Sequence, residues 1–198
     1  RRPTKPTEPE TKKPSDGSKD PSGSNQKPSD KPTEPEAPVS TTRATGEPPA
    51  WPMPETMHPV ATSVPDSEMV SVERVAKYIA SKESDPFLRV KAMHDFAIHH
   101  LSYDHDRLER RDLTWESQQP EVVLRSGLAV CSGYATLLVE MGKHTGDKIV
   151  YLTGDTRKND GRMSDLGHAW NAAFIEGGWY LIDATWDDPT NPDRTRSD

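Results

Sequence analysis

Proline placement limits this chain before any other feature does. Of its 19 prolines, all but Pro65, Pro86, Pro120, Pro189 and Pro192 stand at or before Pro59. Each proline removes a backbone donor and fixes φ, so regular helix or sheet cannot propagate through that first part. The same part repeats a Pro-Thr-Glu/Lys-Pro-Ser texture, with KPTEP at Lys5 and again at Lys31. It holds almost nothing apolar to offset the entropy of ordering. Residues 1–58 are therefore predicted to be a disordered, semi-rigid linker. It is either a passive tether or a stalk holding a domain away from a cell wall or membrane. Trp51, Met53 and Met57 are candidates to pack on the edge of that domain.

Residues 64–198 have to carry the fold. The linker is near neutral, so the formal charge of −7 belongs to this later part. An acidic domain argues against nucleic acid or an anionic membrane as its partner. No apolar run approaches the roughly 18 residues of a membrane span, and no membrane insertion is expected. A single cysteine allows no internal disulfide, which fits the cytosol or an exported protein that does not rely on disulfides. The chain opens on Arg1-Arg2 rather than methionine and reads as a processed or excised piece. With the linker, this leans towards an extracellular or surface-tethered location.

The periodicity predicts helices first and strands after. Asp66 or Ser67 is expected to cap a helix running through Ser81, with Met69, Val72, Val75, Ala76 and Ile79 as its apolar stripe. Asp85-Pro86 starts a second helix, ending near His100, in which His94 reads as a packed core histidine. Residues 105–118 read as a polar loop, and Gln119-Pro120-Glu121 opens a short helix closed by Gly127. A helix from Cys131 to about Gly146 carries Tyr134, Leu137, Leu138 and Met141 on one face. Lys148–Thr153, His168–Ile175 and Trp179–Trp186 read as strands, and 154–166 as a mobile turn region. The order gives an α+β fold, helices packed on an antiparallel sheet.

Cys131 falls at a helix start, where unpaired N–H groups and the macrodipole favour negative charge. Taken alone, it is more often a small core residue than a nucleophile. A thiol nucleophile needs a base within reach and a group that orients the base. His168 is the only histidine in the strand pair, and Asp183 interrupts an apolar run, where a carboxylate is costly without a partner. A turn centred on Gly177-Gly178 puts these two on one sheet face but four positions out of register. His99, His100 and His105 with Asp104 and Asp106 match no metal spacing and read as a solvated helix end, and no metal or other cofactor is expected. Calcium is not suggested, since no EF-hand-like loop is present.

Gly127-Leu-Ala-Val-Cys131-Ser-Gly-Tyr-Ala135, Gly167-His168-Ala-Trp-Asn171 and Trp179-Tyr-Leu-Ile-Asp183-Ala-Thr-Trp186 resemble the three core motifs of the transglutaminase-like superfamily. The upstream Gln119-Pro-Glu-Val-Val-Leu124 is similar to a segment of its bacterial and kyphoscoliosis-peptidase-like branch. The resemblance covers about 64–189 and implies a papain-like fold, with further strands that would make this domain truncated at its C-terminal end. It implies Cys131 as nucleophile, His168 as base and acid, and Asp183 as the group orienting His168. The backbone N–H of Cys131 would be one oxyanion donor, and Gln119, with Trp115 behind it, the second. The activity implied is acyl-enzyme formation on a peptide or glutamine carbonyl, completed by water in a peptidase or deamidase or by a lysine amine in a crosslinking transglutaminase. The substrate class is protein or peptide, cell-wall peptides included. The competing reading is a non-catalytic surface-binding module.

Overall fold

The computed structural model describes residues 48–157 and 161–191, all within the compact unit Ala37–Asp198. Most of the stretch read as linker, 1–47, lies outside the described residues. Helices α1 (Val72–Lys82) and α2 (Pro86–His100) lead into β1 (Ser102–Tyr103), α3 (His105–Arg110) and α4 (Pro120–Ser126). Then come β2 (Leu128–Ala129) and the long α5 (Cys131–Thr145). Three antiparallel strands follow, β3 (Lys148–Arg157), β4 (Met163–Ile175) and β5 (Gly178–Ile182), before a short α6 (Ala184–Asp187). The sheet order is β3-β4-β5, while β1 and β2 form a separate parallel bridge. This is the expected α+β arrangement.

Helix α5 is the centre of the core. Tyr134, Leu137, Leu138 and Met141 are all buried, and the helix packs against α1, α2, α4 and both long strands. Burying such a side chain fully contributes about 1.5–3 kcal/mol relative to exposure, so this stripe fixes the helix firmly. Its far end is tied to α2 by a mostly buried ion pair, Arg89 Nε and Nη2 donating to Asp147 at 2.7 and 2.6 Å. The second helix starts as predicted, with the Asp85 carboxylate accepting the N–H groups of Phe87 and Leu88 ahead of Pro86 in the first turn.

Several local expectations need correction. Helix α1 is capped by Ser71, whose Oγ accepts the Arg74 N–H at 3.2 Å, and 66–70 form turns. Glu68 is occupied with Arg74 at 2.8 and 3.1 Å, which folds that turn back on the helix instead of extending it. The polar stretch 105–118 is not all loop: it contains α3, capped by the Asp104 carboxylate on Arg107 N–H, and a 3-10 turn at Glu116–Gln118. Strand pairing runs past Thr153 to the Arg157–Met163 pair, so 154–157 and 163–166 belong to the sheet, while 158–160 lie outside the described residues. Cross-strand hydrogen bonds hold these arms without an apolar pattern. Strand β5 is shorter than expected, because Asp183 leaves it to cap α6. The expectation that Trp51 and Met53 pack on the domain holds: both lie against the core, and Trp51 Nε1 donates to the Leu181 carbonyl at 3.0 Å.

Candidate active site

Cys131 is the first residue of α5, after an extended Val130. The loop before it is held by Gln118, only 3 % exposed, whose Oε1 accepts the Val130 N–H at 3.0 Å. The Gln118 carbonyl accepts from Thr136 Oγ1 at 2.7 Å, so one residue grips the first turns of the helix twice. Gly133 makes this approach possible, since a Cβ there would lie 2.5 Å from Gln118 Oε1 and 2.7 Å from Ala129 Cβ. Cys131 itself is partly exposed, as a group that meets substrate has to be.

Strand β4 brings His168 to this point. Glu176 and Gly177 both take positive φ, 47° and 86°, the combination of a type I′ hairpin turn. Ile175 therefore faces Gly178 and Asn171 faces Ile182, halving the offset expected from a turn at Gly177-Gly178. The chain then leaves the strand at Asp183 and closes the remaining gap. His168 Nε2 meets Asp183 Oδ2 at 2.7 Å. The second oxygen of Asp183 accepts the Trp186 N–H at 3.1 Å, which fixes the carboxylate at both ends.

The other ring nitrogen, Nδ1, remains for Cys131, whose sulfur is among the influences that raise the His168 pKa. Burial by itself pulls the His168 pKa down, but the hydrogen bonds and charges of Asp183 and Cys131 outweigh it and hold the pKa at about 9. The imidazole also stacks on Trp186, with centroids 4.6 Å apart, and on Trp170 at 5.8 Å. Indole faces favour a cation beside them. Asn171, a residue that sequence reasoning did not single out, is buried and donates to the Ala135 carbonyl at 3.0 Å and the Val150 carbonyl at 3.1 Å. It fastens the strand of His168 to the helix of Cys131.

The remaining expected residues are placed differently. Trp115 is 60 % exposed at the start of the 3-10 turn. Gln119 caps α4 by position and turns its amide back to the Trp115 carbonyl at 3.3 Å. The glutamine against the Cys131 helix is its neighbour, Gln118. A polar residue directly before Gln-Pro gave no signal in the sequence, because proline biases Gln119 to extended backbone and thereby decides which of the two faces inward.

His94 is not a plain core histidine. Its Nδ1 meets Asp95 Oδ1 at 2.9 Å and its Nε2 meets Asp187 Oδ2 at 3.0 Å. His100 bonds the Leu124 carbonyl, and His105 packs on Tyr103. Among the described residues no group of three or more His, Cys, Asp or Glu is arranged to hold a metal. None of the described helices is long and apolar enough to cross a membrane. A cavity of about 530 Å³ is lined by Trp51, Met53, Lys91, His94, Leu181 and Asp187, among others, and by none of Cys131, His168 and Asp183.

Comparison with known proteins agrees with this core. The family model described as the transglutaminase-like superfamily matches residues 73–184. The mouse kyphoscoliosis peptidase is 30 % identical over 119 residues, covering 58 % of this chain and 18 % of that protein. The human kyphoscoliosis peptidase is 30 % identical over 103 residues, covering 50 % of this chain and 15 % of its own. The chain thus spans less than a fifth of these curated relatives. Among solved structures, the periplasmic domain of TgpA from Pseudomonas aeruginosa aligns with a TM-score of 0.47 at 16 % identity, covering 65 % of this chain and 48 % of that one. The family match takes in more than half of the chain and includes Cys131, His168 and Asp183, so the chain belongs to the transglutaminase-like superfamily.

Proposed function

We propose that this domain is a cysteine enzyme that forms an acyl-enzyme at Cys131 on the carbonyl of a peptide or glutamine side chain and hydrolyses it. The observation that supports this reading is Cys131 at the start of α5 acting on the ring of His168, whose Nε2 is held by Asp183 at 2.7 Å. An imidazolium held by Asp183 beside the sulfur suits a thiolate–imidazolium pair. The sulfur attacks the carbonyl carbon and gives a tetrahedral oxyanion, which the Cys131 backbone N–H can stabilise because helix-start N–H groups have no intrahelical acceptor. As the C–N bond breaks, His168 Nδ1 gives its proton to the departing amine and a thioester remains. Water, deprotonated by the now neutral His168, then attacks the thioester and frees the carboxylate and the thiol.

The substrate is a protein or peptide, cell-wall peptides included, and the domain acts outside the cell or tethered at its surface. Two measurements test the reading. Alkylation of Cys131 in the intact protein should be fast near neutral pH and much slower in His168→Ala; a rate no faster than a model thiol refutes it. Incubation with a labelled primary amine and a glutamine-containing protein then separates the acceptors. Release of ammonia or peptide without amine incorporation supports hydrolysis, whereas incorporation supports crosslinking.

A further inference from the structure

The turn that follows Asp183 carries two adjacent carboxylates in opposite settings. Asp187 accepts from His94 on α2, but its side chain is 61 % exposed. Asp188 is fully buried and accepts from the hydroxyl of Tyr134, which is also buried. Tyr134 lies one helical turn beyond Cys131 on α5. Burial and the Asp188 carboxylate both push the phenol pKa up, so Tyr134 stays a donor at every working pH. The second oxygen of Asp188 accepts from Thr190 N at 2.7 Å and Thr190 Oγ1 at 2.8 Å. Asn191 completes the turn by donating its amide to the Thr185 carbonyl at 2.9 Å.

A buried charge gripped in this way is weak evidence for stability, because an apolar pair of similar size often serves as well. What it specifies is geometry. Helix α6 has only four residues, with Asp183 at its start and Asp188 just past its end. Fixing Asp188 to α5 therefore fixes the carboxylate that holds His168. We propose that Tyr134 and Asp188 are positioning residues, whose buried hydrogen bond sets the placement of the His168–Asp183 pair relative to Cys131. The inference rests on the triad reading above and deepens it. Neither residue touches substrate; both act through the two elements they join.

The test compares iodoacetamide alkylation of Cys131 with the NMR titration of the His168 ring. The proteins are the wild type, Tyr134→Phe, Thr190→Ala and Ile79→Val, the last a core change in α1. Tyr134→Phe should slow alkylation about tenfold, since a small misplacement of reacting groups is costly. It should also move the His168 midpoint from about 9 towards 6.5. Thr190→Ala, which removes a donor at the surface without opening the core, should move both in the same direction by about twofold in rate. Ile79→Val should lower the melting temperature and leave both readouts alone. The inference is overturned if Tyr134→Phe, or Thr190→Ala where Tyr134→Phe does not fold, keeps the wild-type rate and midpoint. It is equally overturned if Ile79→Val shifts them as much. Slow alkylation of the wild type would instead count against the triad reading itself.

Discussion

His168 and His94 offer two versions of one arrangement within the same domain. Each ring lies within 3.0 Å of an aspartate and each is held at a pKa of about 9 against the pull of burial. They differ in what the second nitrogen meets. Both nitrogens of His94 face carboxylates, which only accept, so the ring is a fixed cation that braces α2 against α6. His168 spends one nitrogen on Asp183, the other influence on its ring is the Cys131 sulfur, and in the proposed function its second proton has somewhere to go. A raised pKa is common to both; a transferable proton is what the proposed function asks of His168 alone. On that proposal the pair separates a structural histidine from a chemical one by partners, not by basicity.

The largest difference between them should appear in thiol reactivity. Replacing His168 by Ala removes the base and should slow Cys131 alkylation by about 100-fold or more. His94→Gln should change it by less than about twofold, because the partners of His94 are Asp95 and Asp187 and include none of Cys131, His168 and Asp183. Equal losses in the two variants would collapse the distinction. Asp183→Asn sits between these extremes: the thiol remains and the ring stays hydrogen-bonded, but the His168 midpoint should drop towards 6.5 in an NMR titration.

Stability should follow pH through both rings with the same sign. Each folded pKa of about 9 is above the ordinary 6.5, so each ring stabilises the fold fully below about pH 6.5. That contribution is lost as pH rises through about 9. In His94→Gln the decline in melting temperature between these limits should be shallower than in the wild type, by an amount corresponding to about 3 kcal/mol. A curve parallel to the wild type would mean that the carboxylates around His94 do not hold its proton.

The two histidines also show what was legible in the sequence. His168 could be read because its partners lie in local motifs, and hairpin parity alone placed it on the face of Asp183. The distance could not be read, since it depends on Glu176 taking a positive φ that glycine-based turn rules do not anticipate. His94 occupied an apolar position of α2 and was read as core, because its partner Asp187 comes from a helix where the apolar pattern predicted strand. The helix of Cys131 was found nearly whole, its stripe and its closing glycine being local signals. Gln118 and Asn171 were missed because each acts on backbone atoms, and backbone acceptors leave no trace in side-chain pattern.

A smaller change probes how finely the His168 side of the comparison is built. Gly154 on β3 stands opposite His168 on β4, and a Cβ at Gly154 would lie 2.7 Å from Trp170 Cη2. The indole crosses β3 there because glycine leaves the space, and the same indole stacks on the His168 ring. Gly154→Ala has to push Trp170 aside, and with it one of the two aromatic faces that favour the imidazolium. A cation–π contact of this kind contributes about 0.5–2 kcal/mol, so the His168 midpoint should fall by about one pH unit or less. Alkylation should slow by a few-fold, about 3-fold at neutral pH. His94, whose contacts do not include this residue, should titrate as before in the same sample and so serves as the internal standard. A midpoint for His168 that stays put while the Trp170 resonances move would show that Asp183 and Cys131 alone set the charge on the ring.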